Sequence, residues 1–228
     1  MLFASLLALG SVGCDKLISS DVAEIPFALP ARTYSLDSST FAVPAGLAGE
    51  VPCGAGQLVT DCCVLPVGPA PDCATTPVAC EQNENGMNVC TATVTVAQSQ
   101  VMNLGMEVMQ LSGYTGFVNI KIKRISYEVM TNTLDVNLPE IYLYLGPEGA
   151  KTSKDADVMA FGTMPAIPAM MQTSGDVILD SNAAGALAHF TSNIKAPFTF
   201  IAETTPKVTH SPTGKIDLRV TGTLAISP

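Results

Sequence analysis

Six of the seven cysteines lie between Cys53 and Cys90, and this cluster constrains the fold more than any other sequence feature. They are Cys53, Cys62, Cys63, Cys73, Cys80 and Cys90. The 38 residues that carry them are rich in Gly, Pro, Asn and Asp, so they have little apolar surface to bury and need covalent cross-links. An even number of cysteines in such a segment predicts three structural disulfides, and therefore folding in an oxidising compartment.

The spacing of these cysteines leaves their pairing open. Six cysteines allow fifteen pairings, and twelve remain once a bond between the neighbours Cys62 and Cys63 is excluded. A zinc site would require paired C-x-x-C ligands or cysteines mixed with histidine, and a thioredoxin-like site would also require C-x-x-C. The spacing contains neither pattern, so we expect a small disulfide-rich knob over residues 53–90, with no metal and no cofactor.

The remaining cysteine, Cys14, follows an uncharged apolar stretch over residues 1–13. This stretch is too short to cross a bilayer, which takes about 20 residues, but it fits the apolar region of a secretory signal peptide. The residues "SVGC" at its end resemble the bacterial lipoprotein signal, in which small residues precede a cysteine that receives lipid. The resemblance implies lipidation of Cys14 and anchoring at the bacterial cell envelope, on the periplasmic side or the cell surface. A plain secretory signal followed by an incidental cysteine is the alternative.

Alternation of apolar and polar residues predicts an all-β fold for most of the chain. In "KIDLRVTGTLAIS", Ile216, Leu218, Val220, Leu224 and Ile226 share one face of a strand. In "FVNIKIKRISYEVMTN" the apolar positions change parity near Lys123 and Arg124, which predicts one long strand with a β-bulge. Strands are also expected at "EIYLYLG", "DVILD" and "PFTFIAE", and a short helix at "SNAAGALAHFTSN". Short strands, turn residues and few helices indicate an antiparallel β-sandwich.

The same reasoning divides the chain into four parts. Residues 1–13 are the signal peptide and residues 14–52 a lipid-anchored leader with short extended strands. In that leader Pro26 and Pro30 confine any strand to a sheet edge, because proline has no N–H to donate. The disulfide-rich knob covers residues 53–90, and the β-sandwich covers residues 91–228.

The segment 118–226 resembles the late embryogenesis abundant type 2 (water-stress) domain. The similarity rests on "TNTLDVNLPEIYLYL", followed by "GTMPAIPAM" and "GDVILD". It implies an immunoglobulin-like sandwich of about seven strands and no shared catalytic residues.

Charge and residue content exclude several classes of function. The net charge is −9 and no basic stripe occurs, so nucleic-acid binding is not expected. The two histidines, His189 and His210, lie near no G-x-S-x-G motif, so no catalytic residues are assigned and we predict that the protein is not an enzyme.

We therefore expect an exported, lipid-anchored cell-envelope protein that acts as a non-catalytic structural or interaction module. Its partners would be the membrane, through lipid on Cys14, and another protein of the envelope. The alternative is a carrier or binder of a small apolar ligand or lipid in a methionine-lined groove, for which Met106, Met109 and Met170 are the candidate residues.

Overall fold

The computed structural model describes residues 25–44, 47, 49–54, 62, 77–83, 85–107 and 119–227. These residues form twelve β-strands and two α-helices. In chain order they are β1 (Ile25–Asp37), β2 (Val78–Gln82), β3 (Asn88–Thr93), β4 (Val96–Met102), α1 (Leu104–Glu107), β5 (Asn119–Asn132), β6 (Ile141–Pro147), β7 (Met159–Met164), β8 (Ser174–Asp176), β9 (Ile178–Leu179), α2 (Ala183–Thr191), β10 (Phe198–Thr204), β11 (Lys207–Val208) and β12 (Lys215–Ser227).

Two antiparallel sheets pack face to face, and a third, small sheet is attached to them. Sheet I has the strand order β1-β12-β5-β8, and sheet II has the order β4-β10-β6-β7-β9. The small sheet has the order β11-β3-β2. The predicted fold class, an all-β antiparallel sandwich with short helices and a disulfide-held segment, is confirmed.

The central strands of sheet I follow the predicted alternation. All five predicted inward positions of β12 are buried, the most exposed being Val220 at 8%. In β5, Arg124 pairs with Thr223 and Ile122 pairs with Leu224, so Lys123 is the extra residue of a β-bulge. The bulge returns Ile120 and Ile125 to the same buried face, which confirms the interpretation of the parity change.

Strand β1 is the edge of sheet I, as its prolines predict. It pairs with β12 from Ile25 opposite Ile226 to Asp37 opposite Lys215. The sandwich therefore includes a long strand from the segment 14–52 as well as the strands after residue 91. After β1, residues Phe41–Pro44 do not form a strand.

The segment "DVILD" is not the single strand that its sequence predicts. Residues Ser174–Asp176 form β8 at the edge of sheet I, whereas Ile178–Leu179 form β9 at the edge of sheet II. The chain changes sheets at Val177, whose N–H donates to the carbonyl of Ile125 at 2.9 Å. Alternation alone does not reveal such a switch, because each half keeps extended backbone.

Two short helices pack against the sandwich. Helix α2 packs against β5, β6 and β7 through its buried residues Ala183, Ala186 and Leu187. Helix α1 is one turn that follows β4, and its Gly105 N–H donates to the carbonyl of Ile194 at 2.8 Å. Among the described residues, no helix is both long and apolar enough to cross a membrane.

The core is continuous from the sandwich into the disulfide-held segment. Cys62, Val78 and Cys90 belong to the same buried cluster as Leu143 and Leu224. The hairpin β2–β3 joins the rest of the protein through β11, in which Val208 pairs with Ala92. The hairpin thus shares its hydrophobic stabilisation with the two large sheets.

Gly214 allows the turn before β12 to approach the end of β5. Its φ is +88°, and a Cβ placed there would lie 2.0 Å from the carbonyl oxygen of Thr133. Gly149 has the same φ, but a Cβ there would meet nothing within 4 Å. The two glycines therefore separate the cost of left-handed backbone from the cost of the close approach.

We predict that Gly214→Ala destabilises the protein more than Gly149→Ala. The control should cost about 1–2 kcal/mol, the ordinary penalty for a side chain in left-handed backbone. Gly214→Ala should cost about 2 kcal/mol more, because the backbone must move to admit the methyl group. Urea unfolding of both variants measures the difference, and equal losses would contradict the close approach at Thr133.

Candidate functional site

A cleft lies between the inner faces of the two sheets. Its walls carry apolar side chains from both sheets and both helices, together with the polar residues Arg32, Tyr34 and Thr221. They are Leu29, Pro30, Arg32, Tyr34, Met102, Leu104, Ile125, Leu145, Phe161, Leu187, Phe198, Phe200, Val220, Thr221, Gly222 and Leu224. The unfilled volume is about 40 Å³, counted as the space open to the centre of a water molecule.

The cleft opens where β1 bulges. Leu29 pairs with Gly222 and Arg32 pairs with Val220, so Pro30 and Ala31 together face the single residue Thr221. Gly222 has no side chain, and a Cβ there would lie 2.9 Å from Ile125 and 3.0 Å from Leu29, so the side chains of these two residues occupy the space beside the glycine. The extra residue of β1 is therefore the irregularity that accompanies the gap in the packing.

Two polar contacts link the edges β1 and β4 across this open side of the sandwich. The side-chain amide of Gln100 donates to the carbonyl of Thr33 at 2.7 Å. The guanidinium of Arg32 donates to the carboxylate of Glu107, which also accepts from the N–H of Asn103 at 3.1 Å. The arginine and glutamate side chains are only 27% and 23% exposed, so this ion pair is partly shielded from water.

Tyr34 lies deeper in the cleft and is 5% exposed. Burial raises the pKa of its phenol strongly, although the nearby positive charge of Arg32 acts in the opposite direction. The hydroxyl therefore stays protonated at any physiological pH. Its ring packs at 6.1 Å from that of Phe200 and separates this cleft from a second gap lined by Leu36, Val96 and Leu138, among others.

The methionines proposed from sequence do not lie together in this cleft. Met106 on α1 is 79% exposed, and Met170, in the turn before β8, is 68% exposed. Neither lines either of the two gaps, and Met109 lies outside the described residues. The apolar space that the structure shows is lined by leucine and phenylalanine, with Met102 as its methionine.

Arg32 is the site residue that the sequence interpretation missed. Phe27 and Leu29 occupy odd positions of β1, whereas Tyr34 and Leu36 occupy even positions, so the parity changes between residues 29 and 34. Read as a bulge, this change places Arg32 on the same face as Tyr34 and Leu36. The same argument located the bulge in β5, and applied to β1 it would have found the inward arginine.

The structure pairs four of the six clustered cysteines. Cys53 is bonded to Cys80, and Cys62 is bonded to Cys90, with Cα–Cα distances of 6.0 and 5.4 Å. Cys63 and Cys73, the other two members of the predicted set, lie outside the described residues, as does Cys14. Although Cys80 and Cys90 face each other across the β2–β3 hairpin, each is bonded to a cysteine of the preceding loop.

The two disulfides lie close to each other. The sulfur atoms of Cys53, Cys62 and Cys90 are all within 4.8 Å of one another. A thiolate that is released at Cys53 would therefore lie beside the Cys62–Cys90 bond, within reach of thiol–disulfide exchange.

We predict that Cys80→Ser leads to rearrangement of the second disulfide. The Cys53 thiolate attacks one sulfur of the Cys62–Cys90 bond, forms a new bond to it and releases the other as a thiolate. Proteolysis without reduction, followed by mass spectrometry, should show Cys53 linked to Cys62 or to Cys90 in part of the sample. Cys53→Ser, which removes the sulfur that lies in this cluster, should leave Cys62–Cys90 intact; an intact bond in both variants would contradict the prediction.

His210 belongs to a polar cluster at the end of β5. Its Nε2 lies 3.4 Å from a carboxylate oxygen of Asp135, and its Nδ1 lies 3.3 Å from the hydroxyl of Thr209. Asp135 accepts hydrogen bonds from the N–H and the hydroxyl of Thr213, at 2.8 and 2.7 Å. The cluster lines neither gap, and its bonds tie the turn before β12 to the segment that follows β5. We interpret this polar cluster as a stabilising contact between the two segments.

Opposing effects set the ionisation of Asp135. Burial acts to raise its pKa, but the hydrogen bonds from Thr213, together with His210, outweigh burial and hold the pKa below its usual value. A carboxylate whose pKa is lower in the folded than in the unfolded state contributes stability above the unfolded pKa of about 3.9. That contribution disappears as the pH falls through the folded pKa.

We predict that Asp135→Asn costs about 1–3 kcal/mol at pH 7, because two donors of Thr213 lose their charged acceptor. Its free energy of unfolding should also fall less steeply than that of the wild type as the pH drops below about 4. Urea unfolding between pH 3 and 7 measures both effects. The exposed Asp157→Asn is the control for loss of one negative charge, and an acid dependence equal to that of the wild type in Asp135→Asn would contradict the role of this carboxylate.

Comparison with known proteins leaves the family open. No protein-family model and no curated protein matches the chain, so the lipoprotein and water-stress resemblances stay predictions. Three solved structures are similar over much of the chain. A chain from carbohydrate-binding modules of the β-sandwich superfamily is 7% identical with a TM-score of 0.27; the match covers 88% of this protein but only 56% of that chain.

Two further solved structures that match the chain come from viruses. A chain of turnip yellow mosaic virus is 14% identical with a TM-score of 0.25, and covers 72% of this protein and 86% of its own length. A chain of Desmodium yellow mottle tymovirus is 12% identical with a TM-score of 0.25, and covers 71% and 93%. Similarity at this level carries no argument about function, which has to come from the site itself.

Proposed function

We propose that the protein is an exported, non-catalytic interaction module, held at the bacterial cell envelope by lipid on Cys14. The proposal rests first on the N-terminal sequence, in which the apolar stretch ends in "SVGC". The two disulfides agree with folding in an oxidising compartment outside the cytosol.

The position of β1 limits how far the domain can lie from the membrane. Ile25, where β1 begins, is eleven residues after Cys14. A fully extended chain spans at most about 3.6 Å per residue, so the start of β1 would lie within roughly 40 Å of the lipid. The opposite end of sheet I, where Leu36 pairs with Ile216, would then point away from the membrane.

The proposal that the protein binds a partner rests on exposed methionines at that far end of sheet I. We call Met130, Met170 and Met171 the methionine tip; their exposed fractions are 38%, 68% and 55%. Two hydrogen bonds hold their segments side by side, from the amide of Gln172 to the carbonyl of Met130 and from the amide of Asn132 to that of Met171.

The backbone at the methionine tip is also strained. Met170 has a φ of +57°, a conformation that costs about 1–2 kcal/mol for a residue with a side chain. Strained backbone that carries an exposed apolar side chain is typical of a contact surface, and flexible thioethers suit such a surface.

We predict that the wild type fractionates with membranes and that Cys14→Ser does not. The full chain is expressed in a Gram-negative host, and the intact mass of each fraction is measured. Wild type should begin at Cys14 and carry the added mass of diacylglyceryl and acyl groups, whereas Cys14→Ser should be soluble and carry none. Ser19→Ala is the control, and an unlipidated, soluble wild type would overturn the anchor.

The interaction part is tested in cells of the natural host with a photo-crosslinking residue at position 170. A single discrete adduct that disappears with Met171→Asp would support docking at the methionine tip. The same probe at Arg219, on the polar outer face of sheet I, is the control for random collision. Equal adducts from both positions would overturn the assignment of this end as the docking surface.

The inter-sheet cleft supports a second function, the binding of a small apolar ligand. Its walls are almost wholly apolar, and two polar side chains, Arg32 and Tyr34, face the space. Few polar groups in a mostly apolar cleft are typical of small-molecule sites, because the apolar wall provides affinity and the polar groups set orientation. This candidate keeps the predicted ligand class but moves it from the methionines to the space beside Arg32.

A further inference from the structure

Among the described residues in the strands of sheet I, Arg32 is the only one whose charged side chain lies on the inner face. The β1 bulge gives it the parity of Tyr34 and Leu36, and its partner across the ladder is the buried Val220. Its exposed neighbour Thr33 pairs instead with Arg219 on the outer face. The fold therefore directs a guanidinium toward the space between the sheets.

The guanidinium is not fully satisfied in this position. One of its terminal nitrogens donates to Glu107, but Nε is buried and has no hydrogen-bond partner. A buried donor without a partner costs free energy, about 1–3 kcal/mol for an ordinary group and more for a charged one. Nε is not accessible even to a water molecule, so a ligand's oxygen acceptor reaches it, and recovers that cost, only when the guanidinium turns toward the cleft.

The unfilled volume limits the apolar part of such a ligand. A water molecule needs about 10–15 Å³ of this kind of volume, and a methylene group is of similar size. The 40 Å³ beside Leu145, Leu187 and Phe198 therefore admits about three or four methylene groups. Longer chains would have to extend past Pro30 into solvent or separate the sheets.

We infer that the cleft binds a short acyl chain whose carbonyl oxygen accepts a hydrogen bond from Arg32 Nε. This inference rests on the second function proposed above and adds its ligand chemistry. The methyl end of the chain lies against the leucines and phenylalanines between the sheets, and the carbonyl group lies at the β1 bulge. Glu107 holds the other side of the guanidinium and disfavours a free carboxylate through its like charge.

The inward arginine has a purely structural explanation as well. Edge strands are protected from pairing with other chains by prolines, bulges and inward charges, and β1 has all three. Under that explanation the unpartnered Nε binds nothing, and replacement of Arg32 by an apolar residue leaves small-molecule binding unchanged. The two explanations therefore predict different results for the same variant.

The test uses the purified full chain and three probes, followed by the methyl signals of Leu104, Leu145 and Leu187 in ¹H–¹³C NMR spectra. Xenon enters apolar cavities and accepts no hydrogen bond, so it reports whether the cleft is accessible. Methyl butanoate and butanoate carry the same alkyl chain, short enough for the cleft, with an ester or a carboxylate, so they distinguish an esterified acyl group from a free fatty acid.

We predict that all three probes shift these methyl signals in the wild type. Arg32→Met should weaken the binding of both acyl probes at least tenfold, the loss expected for one hydrogen bond to a charged group, and should leave xenon binding unchanged. Glu107→Gln should strengthen the binding of butanoate and leave that of the ester unchanged, because it removes a like charge. Arg219→Met is the matched control on the outer face, and Leu29→Trp, at the mouth of the cleft, should block all probes.

The outcomes separate the two levels of the inference. If xenon binds but Arg32→Met leaves the acyl probes unaffected, the acyl chemistry is overturned and the apolar cleft stands as a binding site. If no probe binds the wild type, the second proposed function is overturned as well. If the methyl ester binds and butanoate does not, the acceptor is an esterified acyl group; the reverse result assigns a free fatty acid.

Discussion

The burial of the two inner sheet faces against each other holds the molecule together, and β12 is central to it. This strand pairs with β1 along one edge and with β5 along the other, over nearly its whole length. Its inward side chains meet those of β6 and β10, where Leu143 and Leu145 are 1% exposed and Phe200 is 7% exposed. Each such side chain contributes about 1.5–3 kcal/mol through removal from water, so the other features of the fold depend on this contact.

The cleft at Arg32 follows from a local conflict between the edge and the core. The β1 bulge contains Pro30, moves an arginine into the inner face and leaves Thr221 opposite two residues. Gly222 lets Leu29 and Ile125 approach its backbone closely, and the unfilled space lies beside them. The same local arrangement that protects the edge from other strands therefore creates the cleft, with its few polar groups.

Strict alternation predicted the strands that lie inside the sheets, because inward and outward positions differ in exposure there. It gave β12 correctly, and the parity change at Lys123 located a real bulge; β10 was also predicted, although it is buried on both faces. It failed at Val177, where the chain passes from one sheet to the other while its backbone stays extended. Which sheet an extended segment joins depends on which neighbouring strands are within reach. The disulfide pairing was equally beyond prediction, because Cys80 and Cys90 face each other in the hairpin and yet bond elsewhere.

The candidate site was predicted only in its general chemistry. An apolar binding space was expected, but its location was inferred from methionines, and two of these, Met106 and Met170, are exposed. Methionine content does not report position, since the same side chain fills cores and covers surfaces. The parity change between Leu29 and Tyr34 was the feature that would have identified the inward residue.

Strand β1 comes from the first part of the chain, and its ladder partner among the described residues, β12, comes from the last. During synthesis, residues 25–37 therefore emerge long before the residues with which they pair, and sheet I stays open until the C-terminal strand has arrived. Contacts this distant in sequence slow folding, and unpaired apolar strands aggregate. In a chain already tethered to a membrane by its N-terminus, the tether would keep the early strand apart from neighbouring chains while it waits.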